Sequence, residues 1–131
     1  MDSTQRKIFM ECEAMNIAGP MGLIEAYHKK LGFPKCTNDV AIKLQQHRDL
    51  CIALQAELTE LLDSMPWKPW RPDGYKNFDK TNFKEEVVDC IFFLTALCEN
   101  WNIAPIEIGT MIAEKLQENY DRIERGYNTT E

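Results

Sequence analysis

What this sequence lacks removes several classes at once. No stretch of its 131 residues approaches the roughly 18 consecutive apolar residues that a membrane-spanning helix needs. The opening residues, Met1 to Lys7, lead into no apolar run of signal-peptide length. No two cysteines stand in a CxxC pair. The five present, Cys12, Cys36, Cys51, Cys90 and Cys98, are an odd number, so they read as free thiols of a reducing compartment. A soluble cytoplasmic protein is the expectation, with no membrane partner. Cations are few: 15 Lys and Arg against 21 Asp and Glu give a net charge of -6, and no basic stripe offsets it. That field repels a nucleic-acid backbone, so no nucleic-acid polymer is expected as a partner. It leaves room for a small phosphorylated ligand, because a bound divalent cation inverts the field locally.

Missing, too, is any sustained alternation of β-branched and polar residues, so no sheet is predicted. There is no internal repeat and no low-complexity tract. What remains is helical periodicity, and the fold class it predicts is all-α: a bundle of about five helices in a single domain, 1–131. The first helix is read over 3–16, capped by Ser3 or Thr4, with Ile8, Phe9, Cys12 and Met15 at helical spacing. Gly19-Pro20-Met21-Gly22 reads as a break. A short helix follows over about 21–32, stopped by Gly32 and Pro34. Asn38 or Asp39 caps a third, running to about Asp63, with Leu44, Leu50, Leu54, Leu58, Leu61 and Leu62 as its buried stripe. The fourth spans about 80–101. The fifth spans about 105–125, with Pro105 in its first turn and Gly126 at its end. Residues 65–80 carry Pro66, Pro69, Pro72 and Gly74 and read as a loop.

Chemistry enters through acid on apolar helices. Glu57 and Glu60 stand three apart on the third helix, and Glu86 and Asp89 three apart on the fourth, so each pair shares one face. A single pair of this kind is what any solvated helix face carries. Two pairs on consecutive helices, each beside the apolar stripe, are less ordinary. Asp89 is followed by Cys-Ile-Phe-Phe-Leu, which predicts a partly buried charge. An unpartnered buried carboxylate is costly, so it should be neutralised or hold a cation. If the two helices pack antiparallel, four carboxylates converge, and all-oxygen ligands suit magnesium, with manganese able to substitute.

Two further constellations accompany the acids. On the fifth helix Lys115, Asn119 and Arg122 fall on one face, with Gly126 and Tyr127 after them; Lys and Arg suit phosphate oxygens, and Asn a base edge or sugar hydroxyl. The bland alternative pairs Lys115 and Arg122 with Glu118 or Asp121. The loop holds Trp67, Lys68, Trp70, Arg71, Tyr75, Lys76 and Lys80, a set able to stack on a base and touch phosphate, or simply to plug the end of the bundle. His28 and His47 read as packing or surface residues rather than metal ligands.

In order and spacing, Glu57-x-x-Glu60, Glu86-x-x-Asp89 and Lys115-x-x-x-Asn119-x-x-Arg122-x-x-x-Gly126-Tyr127 resemble the all-α nucleoside triphosphate pyrophosphohydrolases. The Gly-Tyr ending and the Met65-Pro-Trp-Lys-Pro-Trp70 stretch are similar to the dimeric dUTPase and dCTPase branch, and Ile24 to Pro34 to MazG-like phage proteins. The resemblance, over roughly 40–127, implies a magnesium-dependent enzyme that releases a nucleoside monophosphate and pyrophosphate. It implies a homodimer or a dimer of dimers, in which a partner supplies what a chain shorter than the dimeric dUTPases lacks. It implies metal on Glu57, Glu60, Glu86 and Asp89, with Glu57 or Glu60 orienting the water. Substrate contacts fall to Lys115, Asn119, Arg122 and Tyr127, and to Trp67, Lys68 and Trp70 in the loop. dUTP comes first as substrate, then dCTP or a purine deoxynucleotide. The competing classes are a non-catalytic helical dimer that senses nucleotide or binds protein, and a di-iron carboxylate bundle. The latter normally needs Glu-x-x-His on two helices, which neither histidine here provides.

Overall fold

The Asp39 side chain accepts the Ala41 N–H at 2.9 Å and opens a 23-residue helix with no Pro or Gly inside it. In the computed structural model, which describes residues 1–72 and 77–126, this is α3, Val40–Leu62. The other helices are α1 (Ser3–Ala14), α2 (Ala18–Leu31), α4 (Lys80–Asn100) and α5 (Pro105–Glu124), with a 3₁₀ turn at Met15–Ile17. There is no strand among the described residues, and the architecture is all-α. No single helix is long and apolar enough to cross a membrane.

The ends of the helices follow their local chemistry. Asp79 caps α4 by accepting the Asn82 N–H at 3.0 Å. Pro105 starts α5, where the Glu107 carboxylate accepts the Ala104 N–H at 3.2 Å. Gly32 and Gly126 end α2 and α5 with φ of +81° and +79°, a backbone that strains any side chain with a Cβ. Two sequence expectations change here. Asp2, rather than Ser3 or Thr4, caps α1: its carboxylate accepts the Gln5 N–H at 2.8 Å and the Gln5 side chain accepts the Asp2 N–H at 3.0 Å. Gly19-Pro20 does not break the chain but lies in the first turn of α2, where the amides lack helical partners and proline costs nothing.

Packing divides the chain into two compact units, Met1–Ala26 with Ile103–Glu131, and Tyr27–Asn102. In the first, α1 packs on α5: the Arg6 guanidinium lies 4.3 Å from the Tyr120 ring centroid and bonds Glu124 at 2.9 Å. Among the described side chains of α1, Met10 is buried, while Ile8 and Phe9 face outward, because α5 meets only one face of so short a helix.

The second unit pairs α3 with α4 and carries the last turn of α2. Gln46, near the start of α3, bonds Asn100 at the end of α4 at 2.9 Å; Ser64, just past α3, bonds Asn82 near the start of α4 at 3.0 Å. The two helices are therefore antiparallel. The same register sets Glu60 opposite Glu86 and Glu57 opposite Asp89. Leu50 is the centre of the contact at 1% exposure, and burying such a side chain contributes about 2–3 kcal/mol. The expected leucine stripe is narrower than its spelling: Leu44, Leu58 and Leu62 lie on a second stripe about 100° round the helix and are exposed. α4 also carries apolar residues on its exposed side, Val88, Ile91 and Leu94.

A small polar network fixes the chain between α2 and α3. The Gln46 amide accepts the Lys35 N–H at 2.7 Å and donates to the Lys35 carbonyl at 3.1 Å; the Asn100 amide donates to the Lys43 carbonyl at 2.9 Å. Gln46 and Asn100 are buried. Their satisfied bonds hold Phe33 and its neighbours against the helix pair.

Candidate metal and nucleotide site

The antiparallel register brings Glu57, Glu60 and Glu86 together, one ligand oxygen from each within 4.8 Å of the others. Glu57 and Glu86 are half-buried, Glu60 exposed. Each of the first two has its Oε2 buried without a hydrogen-bond partner. Such atoms are expensive to leave so, and acidity shows the strain. Glu86 is pushed from its ordinary 4.5 up to about 7, first because its proton bonds to Glu57, then by burial and by the charge of Glu60. For Glu57 the bond from Glu86 favours the ionised form, but burial and the charges of Glu60 and Asp89 outweigh it, and its value is also raised. Beneath them the buried Cys90 thiol is pushed up by burial and by the same carboxylates.

A divalent cation held by Glu57, Glu60 and Glu86 would give the orphaned oxygens a partner in place of the proton. The donors are all hard oxygens, which fits magnesium or manganese rather than a thiophilic metal.

Asp89 stands apart from this trio and is exposed rather than partly buried. Its side of α4 opens on a hollow of about 280 Å³ that Leu50 and Glu57 of α3 also line. Glu57 thus links the carboxylate cluster to this hollow. Its walls are aromatic: Tyr27, Phe33, Phe92 and Phe93. His28, buried, also lines it and pairs with Glu99. Tyr27 and Phe92 meet edge to face at 6.1 Å. Sequence reasoning missed this hollow and set His28 aside, since nothing in the spacing of Tyr27 and Phe92, 65 positions apart in the chain, places them side by side.

The loop after α3 builds a second hollow, of about 360 Å³, with Trp67, Lys68 and Arg71 on its wall. Trp67 is half-buried and donates its indole N–H to Asp63 at 2.9 Å; the Lys68 ammonium lies 5.8 Å from its ring. Trp70 meets Trp67 edge to face at 6.2 Å but stands 72% exposed. Tyr75 and Lys76 lie outside the described residues. On α5, in the other unit, Lys115 and Asn119 line a shallow apolar hollow of about 290 Å³, and Arg122 bonds Glu118 at 2.8 Å. Tyr127 lies outside the described residues. Of the two isolated histidines, His47 is exposed and accepts the Trp101 indole N–H at 3.0 Å.

A carboxylate trio that suits a cation, beside an aromatic hollow, fits nucleotide chemistry. Residues 33–129 match the model of the dUTPase family. This chain belongs to the dUTPase family. That range takes in the hollow from Phe33, all four acidic residues, the aromatic loop and the Lys115, Asn119 and Arg122 row. Membership in the dUTPase family makes the chain a nucleotide hydrolase by kinship and implies a divalent cation. Neither the curated proteins nor the solved structures gave a match.

Proposed function

We propose that the chain hydrolyses a deoxynucleoside triphosphate, dUTP foremost, to the monophosphate and pyrophosphate. The observation that carries this reading is the trio of Glu57, Glu60 and Glu86, which holds two orphaned buried oxygens and one of whose members, Glu57, also lines an aromatic hollow. These three, with Asp89 across from Glu57, would hold magnesium, and manganese can substitute. Bound there, the cation supplies charge neutralisation for the phosphates and acidifies a coordinated water.

The residues have separable tasks. Glu57 or Glu60 accepts the proton of the attacking water. The hollow takes the nucleoside and excludes solvent from it. Trp67 and Lys68 contribute an aromatic face and a cation from the loop, with Trp70 beside them. Lys115, Asn119, Arg122 and Tyr127 are proposed as contacts to phosphate and sugar. We also propose that the chain self-associates, as a dimer or dimer of dimers, because exposed apolar side chains such as Val88, Ile91 and Leu94 of α4 are normally enclosed.

The test is pyrophosphate release from a panel of deoxynucleoside triphosphates, with magnesium and with chelator. Magnesium-dependent release, greatest for dUTP and abolished in Glu60→Ala with helicity kept, is the expected result. Release that persists in Glu60→Ala at the wild-type rate would refute the metal site.

A further inference from the structure

His28, which lines the aromatic hollow, and its partner Glu99 stand outside the carboxylate trio. His28 is 7% exposed and comes from the last turn of α2; Glu99 comes from the last turn of α4. A carboxylate only accepts, so the His28 Nδ1 must carry the proton that joins them. Packing reinforces the arrangement. The imidazole lies 5.7 Å from the Tyr27 ring and 6.1 Å from that of Phe92, almost perpendicular to the latter at 84°. The ring is thus fixed in tautomer and in orientation, and Nε2 is the ring nitrogen left to meet a ligand.

We propose that His28, held by Glu99, reads the base. The inference rests on the nucleotide-hydrolase reading above and names the kind of base the site takes. A neutral imidazole protonated at Nδ1 presents a lone pair at Nε2. That lone pair matches a base whose ring edge offers an N–H, as the imide of a 2,4-dioxopyrimidine does. Cytosine brings a lone pair at the same position, and two acceptors face each other. The walls formed by Tyr27, Phe33, Phe92 and Phe93 suit a flat ring. Glu57 and Asp89 at the rim set the sugar and phosphates on the carboxylate side. The pair therefore selects uracil deoxynucleotides over cytosine ones. His28 acts as a specificity residue, and Glu99 as a positioning residue that works through it.

The experiment compares kcat/KM for dUTP and dCTP with magnesium. The wild type is expected to favour dUTP by about 100-fold or more, since a site shaped around a substrate N–H penalises an analogue lacking it. His28→Ala should bring the ratio within about tenfold, mostly through a higher KM for dUTP. Glu99→Leu, which releases the ring to the other tautomer, should do the same. Glu99→Gln, whose amide oxygen still accepts the Nδ1 proton, should keep most of the preference; a merely structural pair would not show that split. Because both residues are buried, a wild-type measurement stands beside the variants: nitrogen-15 spectra of the imidazoles during titration with dUMP or dCMP. dUMP should move the His28 Nε2 signal and dCMP leave it. Equal turnover of dUTP and dCTP by the wild type, an unchanged ratio in folded His28→Ala, or an Nε2 signal indifferent to dUMP overturns the proposal. Failure to hydrolyse any triphosphate overturns instead the reading it rests on, and the dUMP titration then decides the base-reading claim by itself.

Discussion

Replacing Glu57 by Gln separates a cation site from an incidental acidic patch. The substitution keeps the shape of the side chain and removes one negative charge from the three whose oxygens lie within 4.8 Å. For the wild type, manganese at 100 times its dissociation constant should stabilise the fold by about 2.7 kcal/mol. In a chain of 131 residues a kilocalorie moves the midpoint by about 3–4 °C, so the expected shift is about 8–11 °C. Loss even of an outer-shell partner of a metal site lowers affinity 10- to 100-fold, so loss of a direct ligand should lower it at least about 100-fold. At the same manganese concentration the variant then sits near its dissociation constant. It gains about 0.4 kcal/mol, or about 1–2 °C. Without metal the order reverses: Glu57→Gln should melt at or above the wild type, because the raised pKa of Glu57 and of Glu86 marks charges that the metal-free fold resists. Thermal unfolding followed by circular dichroism, with manganese and with chelator, reads all four values. A manganese shift of equal size in both proteins would refute the reasoning, as would a wild type that manganese leaves unmoved.

Three other outcomes follow from the same structure. Glu86, raised to about 7, holds its proton more tightly folded than unfolded; its contribution is present below about pH 4.5 and is lost as the pH rises toward and past 7. Denaturant midpoints in chelator should therefore fall between pH 5 and 8 from this group, while manganese affinity rises over the same interval; affinity flat across it contradicts the proton–cation exchange. Leu50→Ala, at the centre of the α3–α4 contact, should cost about 3 kcal/mol in urea unfolding, and a loss below about 1 would mean that the contact is looser than described. Asn100→Ala strips the Gln46 amide and the Lys43 carbonyl of one partner each and should cost about 1–3 kcal/mol; hydrogen exchange at the Lys35 amide should quicken with it, and an unchanged rate there would argue that the network does not hold the segment.

Much of the scaffold was legible because its signals are local. Asp39 as a cap, Pro105 at a helix start and Gly32 and Gly126 at helix ends act through neighbouring amides, and the structure puts each where the spelling does. Glu57, Glu60 and Glu86 were legible through their spacing, since three residues apart on a helix is a statement about direction. What stayed hidden depends on which face of a helix meets which neighbour. The leucines of α3 mark two stripes, and only packing shows that Leu50 is enclosed while Leu44 is not. Asp89 looked enclosed from its apolar neighbours, yet α4 turns it to an open hollow. His28 lies 71 positions from Glu99, and a pair so distant leaves no periodic trace.

The stem of the loop after α3 is closed by one residue. Ser64, 2% exposed, accepts the Asp79 amide on its carbonyl at 2.7 Å and the Asn82 side chain on its hydroxyl at 3.0 Å. These two bonds hold the ends of the span the same distance apart however long the chain between them. Lengthening such a span is thermodynamically mild, about 0.6 kcal/mol per doubling. Segments of different length and lettering can therefore be spliced between Ser64 and Asp79 while the acidic residues one to two turns upstream keep their places. That makes the stretch a natural point for diversification, by drift or by a protein engineer building a library.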